Sequence, residues 1–325
     1  MNPPGDRPFA DCWFLTGPTA SGKSVLALPL AERLGCEIIA LDSMTLYRGM
    51  DIGSAKPTAD DRWRVPHHLL DVLDPSEPSS LAGYLKLARV AAKDIRERGK
   101  QPLFVGGTPL YLKACLRGMF EGPGADGTLR AELEVEAAVH GTPALHARLA
   151  EVDPKAASKI LINDLRRIVR ALEVYTLTGR PISEWQQEFD KPAVPPPKVA
   201  CIVRPRGELR RRIAERVLEM LSAGWIDEAK RLFDRDPPPG REARQAVGYE
   251  EIAEHLAGNL GYEAMVEAIT TRTRQFAKRQ MTWFRHLEEI TFFETSQQDD
   301  SKRLLEELVE FFSAGRGRSS PASPE

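Results

Sequence analysis

Gly17-Pro18-Thr19-Ala20-Ser21-Gly22-Lys23-Ser24 matches the spacing GxxxxGK followed by Ser or Thr at every fixed position. Those residue types suit one kind of chemistry. Glycines let successive backbone N–H groups curl around an anion, and a helix starting at the second glycine adds a favourable dipole. Lys23 then reaches the outer phosphate, and the Ser24 hydroxyl is offered to Mg²⁺. The pattern is a P-loop, and it implies a substrate bearing a diphosphate or triphosphate. A second candidate is Asp42, which closes the apolar run Glu37–Leu41. A carboxylate at a strand end beside a phosphate site serves as general base or metal ligand, or simply builds an Asx turn. His67 and His68 invite a metal reading, but adjacent residues on a strand cannot face one ion, and no third ligand follows at suitable spacing. They are read as structural or pocket-lining.

Elements that position these residues follow from apolar runs and their punctuation. Cys12–Thr16, Glu37–Leu41, Pro102–Val105, Val199–Val203 and Ile290–Phe293 read as short buried strands. A helix is predicted from Lys23 to Leu34 with Gly35 as its C-cap, and another over Leu81–Arg98 with Gly99 just beyond. Strands alternating with helices imply an α/β fold with a parallel sheet. Between Glu121 and Asn163 only helical segments occur, over Leu129–His140, Pro143–Glu151 and Pro154–Ile160. Asn163 or Asp164 caps a helix running to Thr178, and Lys191–Lys198 is a stiff Pro-rich linker. The expected organisation is a discontinuous P-loop parallel-sheet core, residues 1–118 and 165–314, interrupted by an all-helical insertion domain. The insertion is set at 119–164, with its C-terminal edge open as far as about residue 190. The small polar tail 315–325 is expected to be disordered.

Composition narrows the class. Hydrophobic residues make up 42% and charged residues 28%, with a formal net charge of −2, which excludes a polybasic protein. The four cysteines form no CxxC pair, which implies reduced thiols and no structural zinc. No signal peptide and no membrane-spanning run is apparent, so the expected location is the cytoplasm.

The P-loop alone does not name a reaction. A phosphoryl-transfer enzyme would carry an acid at the end of a later strand, whereas the Pro102–Val105 run ends in Gly106-Gly107-Thr108. That weakens a motor or GTPase and leaves a small-molecule kinase open. The residues around Asp42 carry more information. Asp42-Ser43-Met44-Thr45-Leu46-Tyr47-Arg48-Gly49-Met50-Asp51-Ile52-Gly53-Ser54-Ala55-Lys56-Pro57, taken with the P-loop, resembles the tRNA dimethylallyltransferases. Further matching strings are Val65–Asp71, Gly106–Ala114, Asn163–Val174, Gly248-Tyr249 and Thr273–Arg285, so the resemblance spans roughly residues 12–290. Pro109, where glycine is frequent, and Leu161-Ile162, where His-Pro is frequent, depart from the family pattern. No Cys/His finger follows the core, so the resemblance is to the bacterial form.

The resemblance implies transfer of a dimethylallyl group from dimethylallyl diphosphate to N6 of adenine 37, in tRNAs reading codons that begin with U. Diphosphate is released, and Mg²⁺ is the implied cofactor. Catalytic roles fall on Asp42, Lys23 and Arg212, and the diphosphate falls to Gly17–Ser24, with Ser24 on the metal. Arg212 and Arg216 share a helix face at four-residue spacing; without the resemblance they read as a solvated basic face. Contacts to the anticodon stem-loop are implied for Asp42, Ser43, Met44, Thr45, Thr108, Arg130, Arg166, Arg167, Arg170, Arg244, Gln245, Gly248 and Tyr249. The same holds for Arg274, Lys278, Arg279, Gln280 and Arg285, in a stretch where bases alternate with Phe276 and Trp283 and no acid intervenes. The protein is expected to act as a monomer with tRNA and the donor as partners. A kinase leaves the basic-aromatic helix without a use, and a non-catalytic RNA-binding protein leaves Asp42 without one.

Overall fold

The computed structural model describes residues 8–118, 122–185, 192, 195–296 and 301–314. The chain falls into two compact units, Met1–Leu116 with Pro192–Glu325, and Arg117–Lys191.

The first unit is built on six strands: β1 (Trp13–Thr16), β2 (Cys36–Ala40), β3 (His67–His68), β4 (Gln101–Gly106), β5 (Lys198–Val203) and β6 (Ile290–Glu294). Their order is β3-β2-β4-β1-β5-β6, and every pairing is parallel. β1 lies between β4 and β5, with Thr16 level with Gly106 on one side and Cys201 on the other. All four residues of β1 and all five of β2 are buried, as an apolar strand covered on both faces requires. Five of the strands coincide with the apolar runs. β3 does not: two residues cannot show a period of two, and both are histidines. Within β3, His68 bonds the Glu37 carboxylate at 2.7 Å, which Arg98 also pairs, so this histidine ties the sheet edge together.

The helix Lys23–Leu34 starts at Gly22 and stops at Gly35, both left-handed, as predicted. It packs Leu26, Leu30 and Ala31 against Leu15, Leu103 and Ile202, and against Leu304, Leu308 and Phe312 of the last helix, Ser301–Ser313. After β5 the chain is mainly helical, with Arg206–Ser222, Trp225–Phe233, Arg241–Arg244, Tyr249–Leu256 and Tyr262–Arg285. The long segment after β2 also holds a helix, Ala59–Arg64, started by a Thr58–Asp61 capping box. All four cysteines are buried.

The second unit is helical: Gly127–His140, Thr142–Val152, Pro154–Ala157, Leu165–Thr178 and Ile182–Trp185. Leu133, Leu145, Leu149, Ile168 and Leu172 share one core, which places the helix Leu165–Thr178 in this unit. Inside it, the carboxylate of Glu173 is fully buried and pairs with Arg130 and Arg170. The tail 315–325 and residues 191, 193 and 194 of the Lys191–Lys198 linker lie outside the described residues.

Candidate active site

Ligands in open parallel sheets bind beyond the carboxyl ends of the strands. Four such ends converge here: the P-loop after β1, Asp42 after β2, Gly107-Thr108 after β4, and Arg204 after β5.

The P-loop is held from outside by named side chains. Arg212 donates Nε to the Ala20 carbonyl at 3.0 Å, and Arg204 donates Nε to the Ser21 carbonyl at 2.8 Å. Gln280 accepts the Thr19 N–H at 2.9 Å, while Lys23 rests its Nζ 3.3 Å from the Pro18 carbonyl. Ala20 takes the left-handed φ of 61°, a conformation that costs a non-glycine residue energy and persists only when its surroundings impose it. Gly17 leaves no room for a side chain, since a Cβ there would lie 2.6 Å from the Ile202 carbonyl oxygen. Carbonyls are thereby turned outward to arginines; the Thr19 and Ser21 N–H groups are spent on Gln280 and the Pro18 carbonyl, so the amides suited to an anion are those at the start of the following helix.

Asp42 satisfies both readings of its position. Its Oδ1 accepts the N–H groups of Met44 at 2.8 Å and Thr45 at 3.4 Å, an Asx turn that fixes the carboxylate. Both bonds fall on Oδ1, so Oδ2 is the oxygen open to a substrate proton. Burial pushes the Asp42 pKa up, against the Met44 and Thr45 N–H groups and the charges of Lys23 and Arg216. Burial, reinforced by Arg216, lowers Lys23 to about 8, while Asp42 opposes that fall. Burial also lowers Arg216, with Asp42 and Glu219 pulling it up and Arg212 adding repulsion. Lys23, Asp42, Arg212 and Arg216 therefore form one electrostatic cluster with an excess of positive charge. Such a cluster suits an anionic ligand.

Ser43 and Met44 are half-buried beside the carboxylate, Thr45 is buried, and Thr108 accepts the Ser43 N–H at 3.3 Å. Ser24 is exposed at the head of its helix. On the helix Tyr262–Arg285, Arg274, Lys278, Arg279 and Arg285 are exposed, with Trp283 half-exposed between them. Arg272 differs, being paired with Glu250 and Glu251. Gln280 is buried, and so are Gly248 and Tyr249, while Arg244 and Gln245 are exposed. In the helical unit, Arg166 and Arg167 are exposed, whereas Arg130 and Arg170 spend their charge on Glu173.

Sequence reasoning passed over three participants. Arg204 follows directly on β5, a position that the strand assignment itself marks. Arg216 was noted only for sharing a face with Arg212. Gln280 as a P-loop contact has no local signal, since its partner Thr19 is 261 residues away.

A phosphate cradle at the carboxyl edge of a parallel sheet, with a carboxylate beside its lysine, defines a P-loop α/β enzyme acting on a diphosphate- or triphosphate-bearing substrate. A family profile described as IPP transferase matches residues 45–287, and one described as isopentenyl transferase matches residues 10–65. The tRNA dimethylallyltransferase of Rhodopirellula baltica is 45% identical over 314 residues, covering 93% of this chain and 94% of its own. The crystal structure of the tRNA isopentenylpyrophosphate transferase from Bacillus halodurans is similar, with a TM-score of 0.67, 38% identity, and coverage of 94% and 97%. A eukaryotic dimethylallyltransferase solved in the course of acting on tRNA gives a TM-score of 0.76 at 27% identity, covering 93% of this chain and 79% of its own. The chain belongs to the IPP transferase family, the tRNA dimethylallyltransferases.

Proposed function

We propose that the protein transfers a dimethylallyl group from dimethylallyl diphosphate to N6 of adenine 37 in tRNA and releases diphosphate. The observation that carries this reading is the pairing of an outward-held P-loop with a half-buried Asp42 whose backbone N–H contacts both fall on Oδ1. In the reaction the allylic C–O bond breaks and its electron pair leaves with the diphosphate. The N6 lone pair forms the new C–N bond, and Asp42 takes the proton that N6 sheds. Adenine N6 is a poor nucleophile because its lone pair is delocalised, so a nearby base helps most as the bond forms. The P-loop amides, Lys23 and the arginine pair Arg212 and Arg216 oppose the charge that builds on the leaving group.

Among the described residues no cluster of three or more His, Cys, Asp or Glu could hold a metal unaided. That fits Mg²⁺ of the kind that takes most of its oxygens from phosphate and water. The exposed Ser24 hydroxyl is the protein ligand offered to it, and when bound the ion neutralises charge on the departing diphosphate.

The exposed face formed by Arg274, Lys278, Arg279 and Arg285 supplies phosphate contacts for the anticodon stem-loop, with Arg244 and Gln245; in the helical unit, considered by itself, Arg166 and Arg167 offer further ones. A base within a stacked loop must be turned out to reach Asp42, and Ser43, Met44 and Thr108 line that point. The substrates are read as tRNAs for codons beginning with U, and the enzyme as a cytoplasmic monomer. Among the described residues no helix is long and apolar enough to cross a membrane. Incubation with unmodified tRNA, Mg²⁺ and dimethylallyl diphosphate labelled in the prenyl group tests the reading. Label should enter the tRNA without ATP; no incorporation alongside phosphoryl transfer from ATP would defeat it.

A further inference from the structure

The Thr19 N–H donates to Gln280 Oε1 at 2.9 Å, and Gln280 Nε2 donates to the Gly107 carbonyl at 2.6 Å. These partners dictate which end of the amide is which, since an N–H only donates and a carbonyl only accepts. Gln280 is 3% exposed, so either end left unpaired would cost its full desolvation. One turn earlier, Ala277 packs with Ala20 and Ile213. A Cβ at Gly107 would lie 2.6 Å from Gln280 Nε2, so the approach requires glycine. Gly107 is followed by Thr108, whose hydroxyl takes the Ser43 N–H, and Ser43 follows Asp42.

We infer that Gln280 is a positioning residue, a strut that fixes the separation between the P-loop and the Asp42 end of β2. The inference rests on the prenyl-transfer reading. One end of the amide holds the element that binds the leaving group. The other holds the strand end that leads through Thr108 and Ser43 to the base. Gln280 itself touches neither reacting group, and its burial beneath the basic face sets it apart from the exposed residues proposed for tRNA. Donor carbon and acceptor nitrogen react only when held within a narrow range of distance and angle, and misplacement by about 1 Å costs on the order of 10²-fold.

The test is a double-mutant cycle of Gln280→Met with Asp42→Asn, run beside wild type at saturating tRNA and donor. Gln280→Met alone should lower kcat by about 10²-fold while tRNA affinity stays within about twofold. In the Asp42→Asn background the same change should cost little more, because alignment to a missing base no longer matters. Gln280→Glu keeps the acceptor for Thr19 and loses the donor to Gly107, so its kcat should fall between wild type and the methionine variant. If the methionine variant does not fold, the glutamate variant carries the cycle. Full additivity, an unchanged kcat, or a loss confined to tRNA affinity would overturn the strut. Absence of transfer by wild type would instead sink the reading of the reaction.

Discussion

The Tyr249 hydroxyl donates to Glu228 Oε1 at 2.7 Å, in a site where both side chains are buried. The same carboxylate accepts the N–H groups of Asp51 and Ile52 on Oε2, at 2.8 and 2.7 Å, and that of Gly53 on Oε1 at 2.9 Å. One side chain thus holds three consecutive amides of the segment that leads away from Asp42. Burial and the Glu228 charge push Tyr249 ionisation far above the ordinary tyrosine range, so the hydroxyl stays a donor.

Glu228→Gln can serve the amides on one oxygen only, and stability should fall by about 2–3 kcal/mol. Tyr249→Phe should cost about 1–2 kcal/mol. Urea unfolding midpoints check both. Because Tyr249 faces inward, its phenylalanine variant should bind tRNA as wild type does, which a filter-binding titration reads.

Much of this was legible along the chain. Apolar runs ended by glycine marked five strands, and the spacing from Gly17 to Ser24 marked the cradle. Asp42 was legible as a strand-end carboxylate. What local pattern could not carry were contacts made across the fold. Glu228 reads as one acid in an ordinary amphipathic helix, and Gln280 as one polar residue in a basic stretch. Their tasks depend on partners in other elements. The charges of Arg130 and Arg170 looked available in sequence because Glu173 lies elsewhere or a turn away.

Asp42→Asn should lower kcat by roughly 10²–10⁴-fold, the range for loss of a general base, and leave tRNA affinity within about twofold. In wild type, kcat should fall as pH drops through a value above the ordinary aspartate range, because the base works only when ionised. The stability sign runs the other way. A carboxyl with a raised folded pKa contributes stability below its unfolded pKa and loses it as pH rises through the folded one. At pH 7–8 the asparagine variant should therefore be at least as heat-resistant as wild type, by differential scanning calorimetry.

Lys23 gives the alkaline limb. With its pKa lowered to about 8 in the free protein, kcat/KM for the donor should decline above that pH. A bound diphosphate restores the charge, so kcat itself should stay level further into the alkaline range. Lys23→Ala should raise the donor KM and lower kcat together, and remove the limb from the kcat/KM profile.

Arg274→Ala and Lys278→Ala should each weaken tRNA binding and make the slope of log K against log salt shallower by about 0.7–0.9. Arg272→Ala is the contrast. Its guanidinium is engaged by Glu250 and Glu251, so the salt slope should stay as in wild type and stability should fall by about 1 kcal/mol or less.

The most direct measurement follows both products of a single turnover, with donor labelled in the diphosphate and tRNA analysed for prenylated adenosine. If the P-loop holds the leaving group while Asp42 takes the N6 proton, intact diphosphate should appear in step with prenylated adenine 37, one for one, and Asp42→Asn should slow both equally. Release of diphosphate without prenylated tRNA, or of single phosphate in its place, would contradict it.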